Sequence, residues 1–208
     1  NLYGGELEFK LMSLMKYDAA TIGNHDFDNG IDGLNKVLPY ATFPFLNVNY
    51  DFSDTILHGK IAPYKVFEKD GVRIGVFGVG VELEGLVDKK MYGATNYLDP
   101  ILKANETATH LKHHEKCHLI ICLSHLGYAY KTNKVSDMVL AKENQYIDLI
   151  IGGHTHTFLE KPTAVKNKNN TITLINQVGW AGINLGRIDF FVHANKVNFA
   201  SVKHEIGS

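Results

Sequence analysis

The sequence predicts an α/β domain built on one mixed sheet or on two sheets. Segments with helical spacing alternate along the chain with short apolar strands, which is typical of α/β architecture. Wholly apolar runs of strand length indicate central strands that are covered on both faces. Turn signals between neighbouring strands, such as Lys-Asp-Gly at 69–71, add antiparallel pairs to the parallel ones.

Length, composition and charge agree with one domain over residues 1–208 and exclude several classes of protein. Of the 208 residues, 45% are hydrophobic and 21% are charged, which suits a globular core. The net charge of −1 provides no basic surface, so neither nucleic acid nor a membrane is an expected partner. Two cysteines, Cys117 and Cys122, are too few for a disulfide scaffold.

Three helices are predicted from apolar spacing and capping residues. The first covers 5–16 and the third covers 135–144. The strongest covers 99–116, where Asp99 stands at the N-cap and Pro100 at the first helical position.

Six strands are predicted, and the Lys-Asp-Gly turn joins the first two of them as an antiparallel pair. The segment 166–170, Lys-Asn-Lys-Asn-Asn, is a polar hairpin tip between strands. The predicted strands are 61–68, 72–80, 117–123, 148–152, 171–178 and 185–193.

Three segments repeat one layout, in which an apolar strand leads to a small residue and then to a histidine or Asn-His. They are 17–26, 117–127 and 146–156. In open α/β sheets ligands bind beyond the carboxyl ends of the strands, so we expect these polar residues to share one crevice. They are Asn24, His25, His125, His154 and His156.

The residue types at these strand ends predict a metal site. Imidazole is the commonest metal ligand near neutral pH, and His154 and His156 stand two residues apart, which suits two neighbouring ions at least as well as one. We expect Gly23, Gly152 and Gly153 to bend the backbone sharply and to let it approach a ligand closely. Trp180 is interpreted as a core or rim residue, with a site-lining role as the alternative.

Three motifs, in this order, resemble those of calcineurin-type metallophosphoesterases, specifically the 5′-nucleotidase branch. They are Gly-Asn-His-Asp-Phe-Asp-Asn-Gly at 23–30, Ser-His-Leu-Gly-Tyr at 124–128 and Gly-Gly-His-Thr-His at 152–156. The resemblance covers about 17–187. It implies a four-layer α/β/β/α sandwich with mixed sheets and two divalent metal ions at the strand ends.

The resemblance also implies a role for each motif residue. Asn24, His125 and His154 correspond to ligands of one metal, and His156 to a ligand of the other. Mixed nitrogen and oxygen ligation permits Mn, Zn, Fe, Co or Mg.

The same resemblance implies a catalytic pair outside the metal ligands. His25 corresponds to the histidine that binds the phosphoryl group and assists the leaving group, and Asp28 to the carboxylate that orients it.

Every metal ligand named above is neutral, whereas two adjacent divalent ions need carboxylates to offset their repulsion. The family supplies them from an Asp-x-His and a Gly-Asp motif, which residues 1–22 lack. Asp26, Asp148 and Glu160 are poorly placed substitutes. We therefore expect that the natural N-terminal segment, with the first strands of one sheet, is missing, so that this chain would be inactive alone.

The expected function is a metal-dependent phosphoric ester hydrolase of 5′-nucleotidase type acting on a phosphomonoester, with a nucleotide as the expected partner. The alternatives are a phosphodiesterase or nucleotide-sugar hydrolase with the same centre, and a degenerate metal-binding module without catalysis. No C-terminal nucleotide-binding domain is expected within 1–208, so nucleotide recognition would fall to a separate domain or protein. The resemblance favours a periplasmic or secreted location.

Overall fold

A computed structural model describes residues 4–193 and 196–206 of the chain. The helices are α1 (Glu6–Leu14), α2 (Gly30–Val37), α3 (Lys89–Tyr92), α4 (Pro100–His113) and α5 (Asp137–Glu143). The strands are β1 (Ala20–Thr21), β2 (Phe45–Leu46), β3 (Tyr50–Asp51), β4 (Tyr64–Lys69), β5 (Val72–Gly80), β6 (Asn96–Tyr97), β7 (Leu119–His125), β8 (Leu149–Ile151), β9 (Thr163–Lys166), β10 (Ile172–Asn176), β11 (Asn184–His193) and β12 (Lys196–Glu205).

The main sheet is mixed and has the strand order β4-β5-β7-β8-β10-β9. Its four inner strands run parallel, whereas β4 and β9 are antiparallel edge strands. The predicted turn at 69–71 connects β4 to β5, with Asp70 and Gly71 at positive φ. The predicted hairpin tip lies between β9 and β10. The α/β class and all six predicted strands are therefore confirmed.

Helices α4 and α5 cover one face of the main sheet and form a hydrophobic core with it. Apolar side chains of α4, Ala104, Ala108 and Leu111, pack with strand residues in one buried cluster that α5 also enters. Asp99 accepts hydrogen bonds from the backbone N–H groups of Ile101 (2.8 Å) and Leu102 (3.0 Å), which confirms the predicted N-cap.

A second, smaller layer lies on the other side of the main sheet. Strands β1 and β2 pair in parallel, and β1 packs against β5 and β7. Helices α1 and α2 cover this small sheet and share a second core with it. The order of layers is therefore helix, sheet, sheet, helix, as the four-layer arrangement predicts.

The small sheet is shorter than the sequence indicates. The apolar run in 17–23 forms only the two residues of β1, because the backbone enters a 3₁₀ helix at Asn24–Phe27. Within residues 4–193 and 196–206 the small sheet has just two strands, and apolar side chains of the main sheet line a groove of about 530 Å³ beside Asp18 and Ala19.

Beyond the main sheet, β11 and β12 pair along their full length as an antiparallel hairpin. The predicted strand 185–193 is β11, whereas its partner β12 was not predicted. Over the described ranges, no helix combines the length and apolarity needed to span a bilayer.

Candidate metal centre

The strand ends predicted to carry the site meet at one edge of the fold. His125, the last residue of β7, lies beside Gly80, the last residue of β5. Strand β8 ends at Ile151, so the segment 152–156 leaves the same edge of the main sheet. The 3₁₀ helix Asn24–Phe27 follows β1, which packs on β7. The structure therefore brings together the three motifs, although one of them comes from the small sheet.

Asn24 is the centre of this cluster. Its side-chain oxygen Oδ1 lies 3.1 Å from Nε2 of His125 and 3.0 Å from Nδ1 of His154. Asn24 is buried, and the two imidazole rings stand edge to face with centroids 5.1 Å apart. Three atoms able to bind a metal ion thus converge from three separate segments of the chain.

The surroundings of these imidazoles keep them neutral. Burial, followed by the neighbouring His154, His25 and His156, lowers the pKa of His125 from 6.5 to about 4. Burial also lowers the pKa of His154, with smaller contributions from Lys134, His156 and His25. A metal ligand must offer a lone pair, so neutral imidazoles at pH 7 are suited to this role.

The histidines of 152–156, rather than the glycines, turn the backbone. His154 and His156 adopt φ values of +66° and +53°, a left-handed conformation that non-glycine residues rarely take. Such strain often marks a functional site, where the surrounding structure enforces it. Gly23 is extended, with φ −107° and ψ 175°, and Gly152 and Gly153 do not adopt positive φ. The expectation that these glycines bend the chain is therefore wrong.

The glycines instead allow close packing around the site. A Cβ on Gly23 would lie 2.7 Å from Cε1 and Nε2 of His125, and one on Gly153 would lie 3.2 Å from its Nδ1. The imidazole of His125 is thus held between two stretches of bare backbone. A Cβ on Gly152 would lie 2.3 Å from Oδ2 of Asp137. The backbone thus lies close to the protein's own side chains, and the expected close approach to a ligand stays a prediction.

Gly23→Ala tests this packing. We expect the added methyl group to push the His125 ring away from Asn24 and to weaken divalent-metal binding by about 10-fold, a loss typical of groups that support metal ligands. Isothermal titration with Zn²⁺ measures the affinity. Gly153→Ala, whose Cβ contact is longer, serves as a graded control with a smaller loss. Equal affinities for Gly23→Ala and the unchanged protein would contradict the packing role.

Among the described residues His156 makes no hydrogen bond to Asn24, and its ring contacts that of Trp180. The two rings are nearly parallel, at 12°, with centroids 5.8 Å apart. Trp180 is 57% exposed, so it is a rim residue rather than a core residue. The predicted rim position is therefore confirmed, and the contact with His156 favours a site-lining role as well.

His25 and Asp28 form the predicted pair. Nδ1 of His25 lies 3.1 Å from Oδ2 and 3.2 Å from Oδ1 of Asp28, and the His25 side chain is 78% exposed. The bond to Asp28 occupies Nδ1 and leaves Nε2 open to a ligand. A cavity of about 280 Å³ lies beside His25 and His125.

Two supporting residues were missed in the sequence. Asp137 is fully buried, and its Oδ1 accepts a 2.5 Å hydrogen bond from the hydroxyl of Ser124, the neighbour of His125. Gln177 donates from Nε2 to the carbonyl oxygen of Gly153 at 2.8 Å and accepts from the backbone N–H of Thr157. Both hold the ligand-bearing segments from behind. In the sequence only the position of Gln177 after an apolar run hinted at this, because burial is a property of the folded chain.

The carboxylates considered as extra ligands are engaged elsewhere. Asp26 Oδ2 accepts from the backbone N–H of Gly23 at 2.7 Å, and Asp148 Oδ2 from that of Ile120 at 2.8 Å. Glu160 pairs with Lys203 at 2.8 Å. In the part of the chain that the structure describes, no group of three or more His, Cys, Asp and Glu side chains is arranged to hold a metal ion.

The donor set nevertheless fits a divalent metal. Two neutral imidazole nitrogens each lie about 3 Å from the amide oxygen of Asn24. A third imidazole, that of His156, is close enough to affect the pKa of both His125 and His154. Such oxygen and nitrogen donors suit borderline divalent ions. The set lacks a carboxylate, so it fits one part of a two-metal centre.

Comparison with known proteins identifies the family of this chain. The family model for calcineurin-like phosphoesterases matches residues 3–158. A 5′-nucleotidase of Vibrio cholerae is 31% identical over 97% of this chain, and a snake venom 5′-nucleotidase of Crotalus adamanteus is 29% identical over 76%. The chain spans 40% of the length of the Vibrio protein and 26% of that of the venom protein.

Solved structures give the same result. The 5′-nucleotidase precursor of Thermus thermophilus superposes with a TM-score of 0.88 at 28% identity, over 98% of this chain and 41% of its own. The NAD nucleotidase of Haemophilus influenzae superposes with a TM-score of 0.84 at 25% identity, over 98% and 38%. The family generally uses a dinuclear divalent metal centre. On the family match and the shared fold, this chain belongs to the calcineurin-like phosphoesterase family.

Proposed function

We propose that this chain contributes the amide and imidazole ligands and the leaving-group histidine of a divalent-metal phosphomonoesterase of 5′-nucleotidase type. The observation that carries the proposal is the convergence of His125 and His154 on Oδ1 of Asn24. The similarity to two 5′-nucleotidases supports a nucleoside monophosphate as the substrate. The likeness to a venom enzyme supports a periplasmic or secreted location, which belongs to the same proposal.

Asn24, His125 and His154 would hold one metal ion, and His156 would contribute to a second. Bound divalent ions would polarise the phosphoryl oxygens and supply a nucleophilic water at neutral pH. An amide oxygen with imidazole nitrogens accommodates Mn²⁺, Fe²⁺, Co²⁺ or Zn²⁺, and Mg²⁺ less readily because it prefers oxygen ligands. The low pKa values of His125 and His154 leave their nitrogens unprotonated for this purpose.

His25 would assist the leaving group. Its Nδ1 faces Asp28, so the carboxylate fixes the ring orientation. The opposite nitrogen, Nε2, can then donate a proton to the ester oxygen as the P–O bond breaks. The high exposure of the ring, which leaves it accessible to a phosphoester, supports this role.

His25→Ala separates this role from metal binding. We expect hydrolysis of a nucleoside monophosphate to slow by about 100-fold, because general-acid assistance is lost, while metal content stays unchanged. Steady-state kinetics on the complete gene product and elemental analysis measure the two quantities. His58→Ala, at an exposed histidine outside the site, is the control and should match the unchanged protein. Normal turnover by the His25 variant would remove it from the mechanism.

The function itself is tested by metal content and substrate choice. The 208-residue chain and the complete product of its gene are each incubated with Mn²⁺ or Zn²⁺, gel-filtered and analysed for metal per chain. Each is then assayed with adenosine monophosphate and with bis(p-nitrophenyl) phosphate. Faster hydrolysis of the monoester supports the proposal. Faster hydrolysis of the diester would favour the phosphodiesterase or nucleotide-sugar hydrolase alternative.

A metal-binding module without catalysis is the second candidate. It is favoured by the lack of a three-residue His, Cys, Asp and Glu group among the residues described above. The same experiment distinguishes it, because this module would bind metal in both preparations and hydrolyse neither substrate. Hydrolysis that disappears on addition of a chelator and returns with Mn²⁺ would exclude it.

A further inference from the structure

The imidazole of His156 is held differently from those of the other site histidines. His125 and His154 each have a ring nitrogen about 3 Å from Asn24, and His25 has one beside Asp28. Across residues 4–193 and 196–206, neither ring nitrogen of His156 has a hydrogen-bond partner within the protein. Its contact with an aromatic ring is the parallel stack on Trp180, with centroids 5.8 Å apart.

The backbone around Trp180 is tied to the segment that carries His156. The N–H of Gly179 donates to the carbonyl oxygen of Thr157 at 2.9 Å, and Val178 forms a bridge with Phe158. Gly179, at φ +86°, also lies so close to the Phe158 ring that a Cβ there would come within 2.2 Å of it. The two stacked rings therefore extend from adjacent, hydrogen-bonded segments, which fixes their relative position.

We propose that Trp180 is a positioning residue for His156, and that its indole fixes the plane of the imidazole so that a ring nitrogen faces the metal centre. This inference rests on the proposed function. Metal-ligating histidines are normally oriented by a hydrogen bond from the second ring nitrogen to a carboxylate, carbonyl or water. At His156 that partner is replaced by an aromatic face, and offset parallel rings at this separation attract one another.

The stack also matches the backbone strain at His156. The residue adopts φ +53°, so its side chain leaves the backbone in a different direction from that of a residue in an extended strand. An exposed imidazole in such a segment would sample several rotamers, and binding a metal would require it to settle into one of them. The indole removes most of those alternatives in advance, so less rotamer freedom is lost when a metal binds.

Trp180 is the only tryptophan of the chain, which gives a direct spectroscopic test. Co²⁺ is titrated into the 208-residue chain while tryptophan emission is recorded. If a metal binds at His156, the paramagnetic ion lies next to the indole and quenches its emission. His156→Ala should abolish this quenching, whereas quenching by the neutral collisional agent acrylamide should persist in the variant.

Affinity measurements then separate positioning from stability. We expect Trp180→Ala to weaken Co²⁺ binding by about 10-fold by calorimetry, and Trp180→Phe to restore most of it, because phenylalanine keeps an aromatic face. Phe191→Ala, at a residue of similar exposure on the β11–β12 hairpin, is the control and should bind as the unchanged chain does. In a His156→Ala background, Trp180→Ala should cause no further loss.

The outcomes distinguish this inference from the proposed function. If the unchanged chain and the complete gene product bind no Co²⁺, both the positioning role and the proposed function are rejected. If they bind Co²⁺ and Trp180→Ala binds it equally well, only the positioning role is overturned. An equal loss from Trp180→Ala with and without His156 would likewise overturn it, since the effect would then not pass through His156.

Discussion

His154→Ala should weaken divalent-metal binding by about 100-fold or more, because it removes a ligand rather than a group that supports one. Nδ1 of His154 lies 3.0 Å from Oδ1 of Asn24, and only His125 offers a second imidazole at that oxygen in the described structure. An alanine would leave two donors, Asn24 and His125, which is too few to hold a metal against water. Elemental analysis after gel filtration in Mn²⁺ or Zn²⁺ measures the loss.

A second variant at the same position, His154→Gln, distinguishes metal ligation from a purely structural hydrogen bond. If His154 acted only by bonding to Asn24, His154→Gln would keep a donor and restore the unchanged behaviour. Metal ligation predicts that glutamine recovers little of the Zn²⁺ binding, because Zn²⁺ prefers an imidazole nitrogen to an amide carbonyl oxygen. His204→Ala, at an exposed histidine of β12, is the matched control and should retain full metal content. Metal content that is normal in His154→Ala would reject the ligand assignment.

Much of the fold and the position of the site could be predicted because their signals are local. An apolar run of strand length, a capping Asp99 or a Lys-Asp-Gly turn lies within a few residues of the structure it specifies. The carboxyl ends of parallel strands meet at one edge by geometry alone, so His125 and His154 could be placed near each other. The α/β class, the strands of the main sheet and the shared crevice followed from such signals.

What could not be predicted depends on contacts between distant parts of the chain. Gly23 is glycine because the ring of His125, 102 positions away, packs on its backbone. The pairing of β12 with β11 and the stack of Trp180 on His156 likewise require the folded structure. Asp137 reads as an ordinary first-turn helix residue in the sequence, and only the structure shows that it is buried behind the ligand-bearing segments.

Asp137 should make the stability of the chain fall as the pH rises from about 4 to about 7. Burial raises its pKa from 3.8 to about 7, although the hydrogen bond from Ser124 opposes the shift. Its other oxygen, Oδ2, is buried without a hydrogen-bond partner. In this pH range the unfolded chain has released the proton while the folded chain keeps it, so each pH unit costs about 1.4 kcal/mol of folding free energy. The full effect is about 4 kcal/mol and is complete above the folded pKa.

Urea unfolding of the unchanged chain and of Asp137→Asn, both in chelator, isolates this residue. Asparagine has nearly the same shape but does not titrate, and the contributions of other titrating groups, such as Asp26, Asp148 and His125, are common to both proteins and cancel in the difference. The unfolding free energy of the unchanged chain minus that of Asp137→Asn should therefore fall steadily from pH 4 to pH 7 and then level off. Asp148→Asn is the matched control, because the pKa of Asp148 is raised only to about 6, so its difference should level off one pH unit earlier. A flat difference for Asp137→Asn across this range would mean that the buried carboxyl group is already ionised at pH 4, and some positive group would then have to lie beside it.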